Sequence, residues 1–126
     1  MTSIFLVDDF EMNRRLIKRL LEEEEDLCVV GEAGSGLDAV RMVAALKPDI
    51  LITDLSMPGL DGIEVTRRVR ESSPQTRVIV LSMWDPGKYA EAAKKAGAVA
   101  YIVKDSAINS LVPCIRAIDR QGNGNL

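Results

Sequence analysis

The chain has 126 residues, 47% of them hydrophobic, which fits one domain large enough to bury a core. A formal net charge of -3 leaves no basic excess to drive binding to a phosphate backbone, so direct contact of this chain with nucleic acid is not expected. There is no histidine, and Cys28 and Cys114 stand far apart outside any ligand spacing, which excludes zinc sets and a disulfide framework and makes both cysteines candidate small core residues.

The run SIFLV at residues 3–7 is too short for a signal-peptide core or a membrane span, so it predicts a first strand in a cytoplasmic protein with no membrane contact. From residue 11 to about 24, Met12, Leu16 and Leu20, with Ile17 and Leu21, follow helical spacing. Residues 27–30 predict a second strand that the 31–36 turn region ends, and residues 37–46 a second helix closed by Lys47 and Pro48. The third strand, 49–53, stops abruptly at Asp54, and a Pro/Gly-rich loop follows. Beyond it the pattern predicts a helix over 63–71, a strand over 77–81 and an alanine-rich helix over 89–96 that Gly97 stops. A fifth strand over 99–103 and a helix over about 110–120, with Leu111, Ile115 and Ile118 on one face, complete the pattern. The polar tail QGNGNL is expected to fray.

Five strands alternating with helices call for an α/β fold with a parallel sheet, doubly wound by right-handed crossovers. The continuous runs FLV, ILI, VIVL and YIV suit strands buried on both faces. In such sheets ligands gather at the carboxyl ends of the strands. There the first strand ends in Asp8 and Asp9, the third in Asp54, the fourth in Ser82 and the fifth in Lys104.

Each of these has an ordinary explanation when taken alone. Asp8 and Asp9 could stabilise the next helix through its dipole, by about 0.3–1 kcal/mol. Ser82 could be a turn or cap residue, and Lys104 a solvated cation. Their convergence on one sheet edge favours a functional site. Three carboxylates in one crevice repel, so either one stays protonated or a hard cation neutralises them, and incomplete oxygen coordination fits Mg²⁺ better than zinc or a closed calcium cage. The turn after the first strand, VDDFEMN, is not a glycine-rich phosphate cradle, so an anion would need the metal. With Mg²⁺ bound, Asp54 can attack a phosphoryl group while Lys104 and Ser82 hold phosphate oxygens.

These motifs resemble the two-component response-regulator receiver family: VDD after strand one, ITDLSMPGLDG at strand three, LSM after strand four and YIVKD after strand five. The KDS that follows strand five is similar to receivers of the NarL/LuxR type, which precede a helix-turn-helix output domain. The resemblance covers essentially the whole chain. It implies a (βα)5 flavodoxin-like fold with strand order 2-1-3-4-5, residues 1–120 forming the receiver, and residues 121–126 a polar tail that could open a linker to an output domain. By the same resemblance Asp54 would accept phosphate from the phosphohistidine of a sensor histidine kinase. Asp9 would ligate Mg²⁺ directly, Asp8 mainly through water, and the Ser56 main-chain carbonyl would complete the protein ligands. Lys104 would contact the phosphoryl group, while Ser82 swings toward it and Tyr101 turns inward, biasing the surface of the fourth helix, fifth strand and fifth helix. A homodimer on phosphorylation is implied, as is transcription control through an output domain.

Three function classes follow. The preferred one is a phosphorylatable switch, not an enzyme with a product of its own, since it would catalyse only its own phosphorylation and dephosphorylation. A phosphohydrolase is disfavoured because Leu55 and Ser56 follow Asp54, leaving no second acid two residues on. A receiver-like interaction module that works without phosphorylation is the alternative, and retention of all five chemical positions argues against it.

Some stretches depart from the most typical pattern or carry charge without an evident role. Met83 and Trp84 beside Ser82 are expected to shield an acyl phosphate from water and slow its loss. Pro113 falls inside the last helical pattern and deletes one hydrogen bond unless that helix begins near Val112. The acidic run at residues 22–26 reads as a solvated helix end, Arg14, Arg15, Lys18 and Arg19 as surface charge that could adjoin a kinase, and Arg67, Arg68 and Arg70 as solvated face. Ala92, Ala93 and Ala96 predict a lightly packed fourth helix.

Overall fold

In the computed structural model, which describes residues 1–124, the five apolar runs form parallel strands in the order β2-β1-β3-β4-β5. The elements are β1 (Thr2–Val7), α1 (Glu11–Glu22), β2 (Leu27–Ala33), α2 (Gly36–Leu46), β3 (Ile50–Asp54), α3 (Gly62–Ser72), β4 (Arg77–Ser82), α4 (Pro86–Ala96), β5 (Ala100–Val103) and α5 (Ala107–Gly124). This is the doubly wound, flavodoxin-like arrangement expected of the sequence.

Alternation along each strand divides the core into two layers. Phe5, Val7, Leu51, Val78 and Val80 face one side, where Ala39 and Val43 of α2, Val65 and Val69 of α3 and Ala93 of α4 cover them. Ile4, Leu6, Ile50, Ile52, Ile79 and Leu81 face the other, under Leu21 of α1 and Leu111, Ile115 and Ile118 of α5. Each fully buried aliphatic side chain stabilises the fold by about 1.5–3 kcal/mol, so the central strands are held from both faces. Rigid strands therefore set where their carboxyl ends lie. Ser35 and Asp61 cap α2 and α3, accepting hydrogen bonds from the Asp38 and Glu64 amides at 3.3 and 2.9 Å.

Several boundaries differ from the sequence expectation for local physical reasons. β2 continues through Gly31 to Ala33 because β1 pairs across a bulge: Ile4 opposes Val29, Phe5 opposes Gly31, and Val30 is skipped. A side chain at Gly31 would meet the Phe5 ring at 2.7 Å, so the glycine is a close-packing position within the strand and not the turn that its type suggests. α5 begins at Ala107, after a 3-10 turn at Lys104–Ser106, not near Val112, and it continues to Gly124 where a frayed tail was expected from residue 121. Pro113 is thus interior to the helix, and its ring is exposed, so the carbonyl it leaves without a donor lies on the solvent side. Asn125 and Leu126, the end of that tail, lie outside the described residues. Cys28 and Cys114 are only half-buried, and Ala92 of α4 is exposed while Ala93 and Ala96 pack inward.

The acidic run at residues 22–26 is not simply solvated. Arg116 of α5 donates from Nη2 to Glu24 Oε1 at 2.8 Å and from Nη1 to Asp26 Oδ2, tying the α1–β2 connection to α5. Arg67 and Arg68 do lie on the exposed face of α3, where both pair with Glu64.

Candidate functional site

The carboxyl edge of the sheet brings together every acid and base expected there. Asp54 is the last residue of β3 and Asp8 follows β1; both are buried, whereas the neighbouring Asp9 is exposed. One carboxylate oxygen from each of the three lies within 4.8 Å of the others. Lys104, directly after β5, reaches across the end of β4 to place its Nζ 3.1 Å from Asp54 Oδ1 and 3.5 Å from Asp8 Oδ2.

This cluster carries more negative charge than one lysine can balance. Burial pushes the Asp54 carboxyl above its ordinary range, the Asp8 charge pushes it the same way, and Lys104 opposes both. The donor set fits a hard divalent cation: three carboxylate oxygens, two from buried residues, with no nitrogen or sulfur ligand at hand and too few protein donors to close a coordination shell.

The Asp8 carboxylate is already oriented. Oδ1 accepts a hydrogen bond from the Phe10 amide at 2.9 Å, and Oδ2 accepts one from Asn13 Nδ2 at 3.3 Å. Arg14, expected to be surface charge, instead turns under the β1–α1 turn. It donates from Nη1 to the Asp8 carbonyl at 2.6 Å and from Nε to Glu32 Oε1 at 2.9 Å, and its side chain is only 15% exposed. Sequence spacing could not have found this role, because the partners are a main-chain oxygen and an acid from a different strand.

Ser82 and Tyr101 converge on a third residue. The Ser82 hydroxyl, fully buried at the end of β4, accepts from the Trp84 amide at 2.9 Å, and the Tyr101 hydroxyl of β5 donates to the Trp84 carbonyl at 3.0 Å. The Trp84 peptide groups thus tie both residues to the β4–α4 connection. Its indole packs edge-on to Tyr89, with ring centroids 6.4 Å apart, under the Lys88 ammonium at 4.8 Å. Met83 beside it projects into solvent at 77% exposure. Ser56 lies exposed in the β3–α3 loop two residues beyond Asp54.

Beside the acidic cluster, between α1 and the start of α5, runs a largely apolar groove of about 340 Å³ lined by Leu16, Ile17, Leu20, Lys104, Ala107 and Ile108. Leu16 and Ile108 are 58% and 74% exposed, so the groove has an open apolar rim. Among the described residues no helix is long and apolar enough to cross a membrane.

A family model described as the response regulator receiver domain matches residues 4–116. The chain is 34% identical over 118 residues to the response regulator GacA of Pseudomonas aeruginosa, covering 94% of this chain and 55% of that protein. It is 36% identical over 118 residues to the response regulator UvrY of Escherichia coli O6:H1, covering 94% and 54%. Among solved structures, a two-component response regulator of the LuxR family from Aurantimonas sp. SI85-9A1 aligns with a TM-score of 0.89 at 36% identity, covering 94% of this chain and 84% of that one. The chain spans about half the length of the curated relatives it matches.

Proposed function

Because the chain belongs to the response regulator receiver domain family, we propose that Asp54 is the phosphoacceptor of a two-component signalling switch. The observation that carries this reading is the position of the Lys104 ammonium within 3.5 Å of both Asp54 and Asp8, at the one edge of the sheet where the acids meet. An Asp54 carboxylate oxygen attacks the phosphorus of a phosphohistidine on a sensor histidine kinase, the phosphorus–nitrogen bond breaks, and the imidazole leaves with the electron pair. Lys104 pairs with a phosphoryl oxygen as charge builds there, and Ser82 donates to another once its bond with Trp84 is exchanged. Asp8, Asp9, Asp54 and the Ser56 carbonyl would hold Mg²⁺, which neutralises charge on the transferring group.

The apolar rim beside the site supplies a docking face for the kinase. Leu16 and Ile108 rim a groove that Lys104 also lines, so an amphipathic helix carrying the phosphohistidine can lie in it between α1 and α5. The acyl phosphate alters the surface formed by α4, β5 and α5 through Ser82, Trp84 and Tyr101. In a longer protein of the GacA or UvrY kind that surface would control dimerisation and a DNA-binding output domain in the cytoplasm. On this reading the chemistry of the chain is limited to its own phosphorylation and to a dephosphorylation that releases inorganic phosphate.

The test is intact-protein mass spectrometry after incubation with Mg²⁺ and acetyl phosphate, beside Asp54→Asn and a metal-free control. One added phosphoryl group in the wild type, absent from both controls, is the expected result. No adduct at early sampling times would leave a phosphorylation-independent interaction module as the better account.

A further inference from the structure

Arg14 holds the main-chain carbonyl between Asp8 and Asp9, and we infer that Arg14, braced by Glu32, is a positioning residue that sets the affinity of the site for a divalent cation. The inference rests on the cation site described above and adds a device behind it. Asp9 is exposed, and among the described residues no group donates a hydrogen bond to its carboxylate. What the fold fixes of Asp9 is therefore the backbone that carries it, beginning with the peptide that joins it to Asp8.

That peptide is fixed from outside the turn. Its oxygen, the Asp8 carbonyl, accepts from Arg14 Nη1 at 2.6 Å, while the Asp8 amide donates to the Ala33 carbonyl at the end of β2 at 3.2 Å. The guanidinium is itself held, because Nε donates to Glu32 Oε1 at 2.9 Å, and Glu32 Oε2 lies 3.9 Å from Lys18 Nζ. Arg14 and Glu32 thus bolt the β1–α1 turn to the neighbouring strand. A planar fork that donates in two directions at once is what this geometry needs, and a lysine ammonium of similar charge cannot reproduce it. With the bolt absent, the Asp8–Asp9 peptide gains rotational freedom, and cation binding must first restore its orientation.

Partners that orient metal ligands typically contribute about 10- to 100-fold in affinity. The experiment is calorimetric titration of the whole chain with Mg²⁺ alone, for the wild type, Arg14→Lys, Arg14→Gln, Glu32→Gln and a control, Arg15→Gln, which removes an exposed charge from the same helix. Circular dichroism and thermal melting in metal-free buffer establish that each variant is folded. Expected is a loss of about tenfold or more in both Arg14 variants, a smaller loss in Glu32→Gln, and little change in Arg15→Gln. Because the defect is in binding, saturating Mg²⁺ should restore the rate of labelling by acetyl phosphate in Arg14→Lys. A residue that served folding alone would lower the melting temperature and leave the Mg²⁺ affinity of the folded protein unchanged; that result overturns the inference. A wild type that binds no Mg²⁺ overturns the cation site itself, a failure distinct from wild-type affinity in the Arg14 variants. Should Arg14→Gln fail to fold, Glu32→Gln and Arg14→Lys still decide, since equal affinity in both would overturn it.

Discussion

Lys104 Nζ lies 3.1 Å from Asp54 Oδ1, yet Asp54 remains harder to ionise than an ordinary aspartate because burial and the Asp8 charge outweigh that single contact. The sign of the consequence follows from linkage. A carboxyl whose pKa is raised on folding binds its proton more tightly in the native state, so stability is lost as pH rises from the unfolded value of 3.8 through the folded pKa. Asp54→Asn removes that penalty, and Lys104 keeps Asp8 as a partner at 3.5 Å. In metal-free buffer at neutral pH the variant is expected to melt at a higher temperature than the wild type. The gain should shrink as pH falls toward 3.8. Thermal melts across that range check it, and a variant less stable than wild type at neutral pH would contradict the charge argument.

The bond from Arg116 to Asp26 acts in the opposite direction. That hydrogen bond is the main reason the Asp26 carboxyl sits below its ordinary range, so its contribution is present above pH 3.8 and is lost as pH falls through the folded pKa. Asp26 is exposed and Arg116 half-buried, and Thr2 Oγ1 also ties α5 to the N-terminal strand by donating to Asp119 at 2.7 Å. Arg116→Gln is therefore expected to lower the melting temperature only slightly at neutral pH and low salt, with a smaller difference at high salt and in acid. A salt-independent loss would point to packing by the Arg116 stem instead.

What the sequence made legible is what continuous apolar runs encode. β1, β3 and β4 are buried on both faces and the edge strand β5 is buried at Ile102, so their polar terminators Asp8, Asp54, Ser82 and Lys104 stand out, and the order of strands brings these residues together. What it did not make legible depends on partners distant in the chain. Arg14 has the same composition-level appearance as Arg15, and only the arrival of Glu32 and the Asp8 carbonyl separates a half-buried brace from an exposed charge. The acidic run near Asp26 finds its arginine 90 residues on. Gly31 signals a turn locally, but the Phe5 ring above it makes it a strand residue. Ser82 and Tyr101 were recognisable as a pair by resemblance, whereas their common attachment to the Trp84 peptide needed the fold.

Met83 and Trp84 stand immediately after Ser82, and shielding of an acyl phosphate from water by these two side chains is expected to slow hydrolysis. The indole is restrained by Tyr89 and Lys88, whereas Met83 is largely exposed. We predict that Met83→Ala, Trp84→Ala loses phosphate several-fold faster than wild type, measured as decay of the phosphorylated mass after acetyl phosphate is removed. Equal decay rates would dismiss the shielding role and leave Trp84 as an anchor for Ser82 and Tyr101 through its main chain alone.

Gly62 connects the site to α3 by the absence of a side chain. A Cβ there would lie 2.2 Å from the Asp54 carbonyl oxygen and 2.9 Å from the Leu55 Cα, both backbone atoms that cannot rotate away. The Gly62 amide also donates to the Leu55 carbonyl at 2.8 Å, so the start of α3 and the end of β3 are in direct contact. Gly62→Ala must push α3 away from the strand that carries Asp54, and the loss expected is about 2–3 kcal/mol, the upper part of the range for overpacking. Gly87, in the first turn of α4, faces open space, with no neighbouring atom within 4 Å of where a methyl group would stand, so Gly87→Ala should instead gain about 0.5–1 kcal/mol through helix propensity. Urea unfolding of both variants in metal-free buffer measures the two effects with the same chemical change. If Gly62→Ala proved as stable as Gly87→Ala, the close approach of α3 to Asp54 would not be a constraint on the site. If it is destabilised as expected, labelling of the still-folded variant by acetyl phosphate should also slow, because the displaced helix carries the Asp54–Leu55 backbone with it.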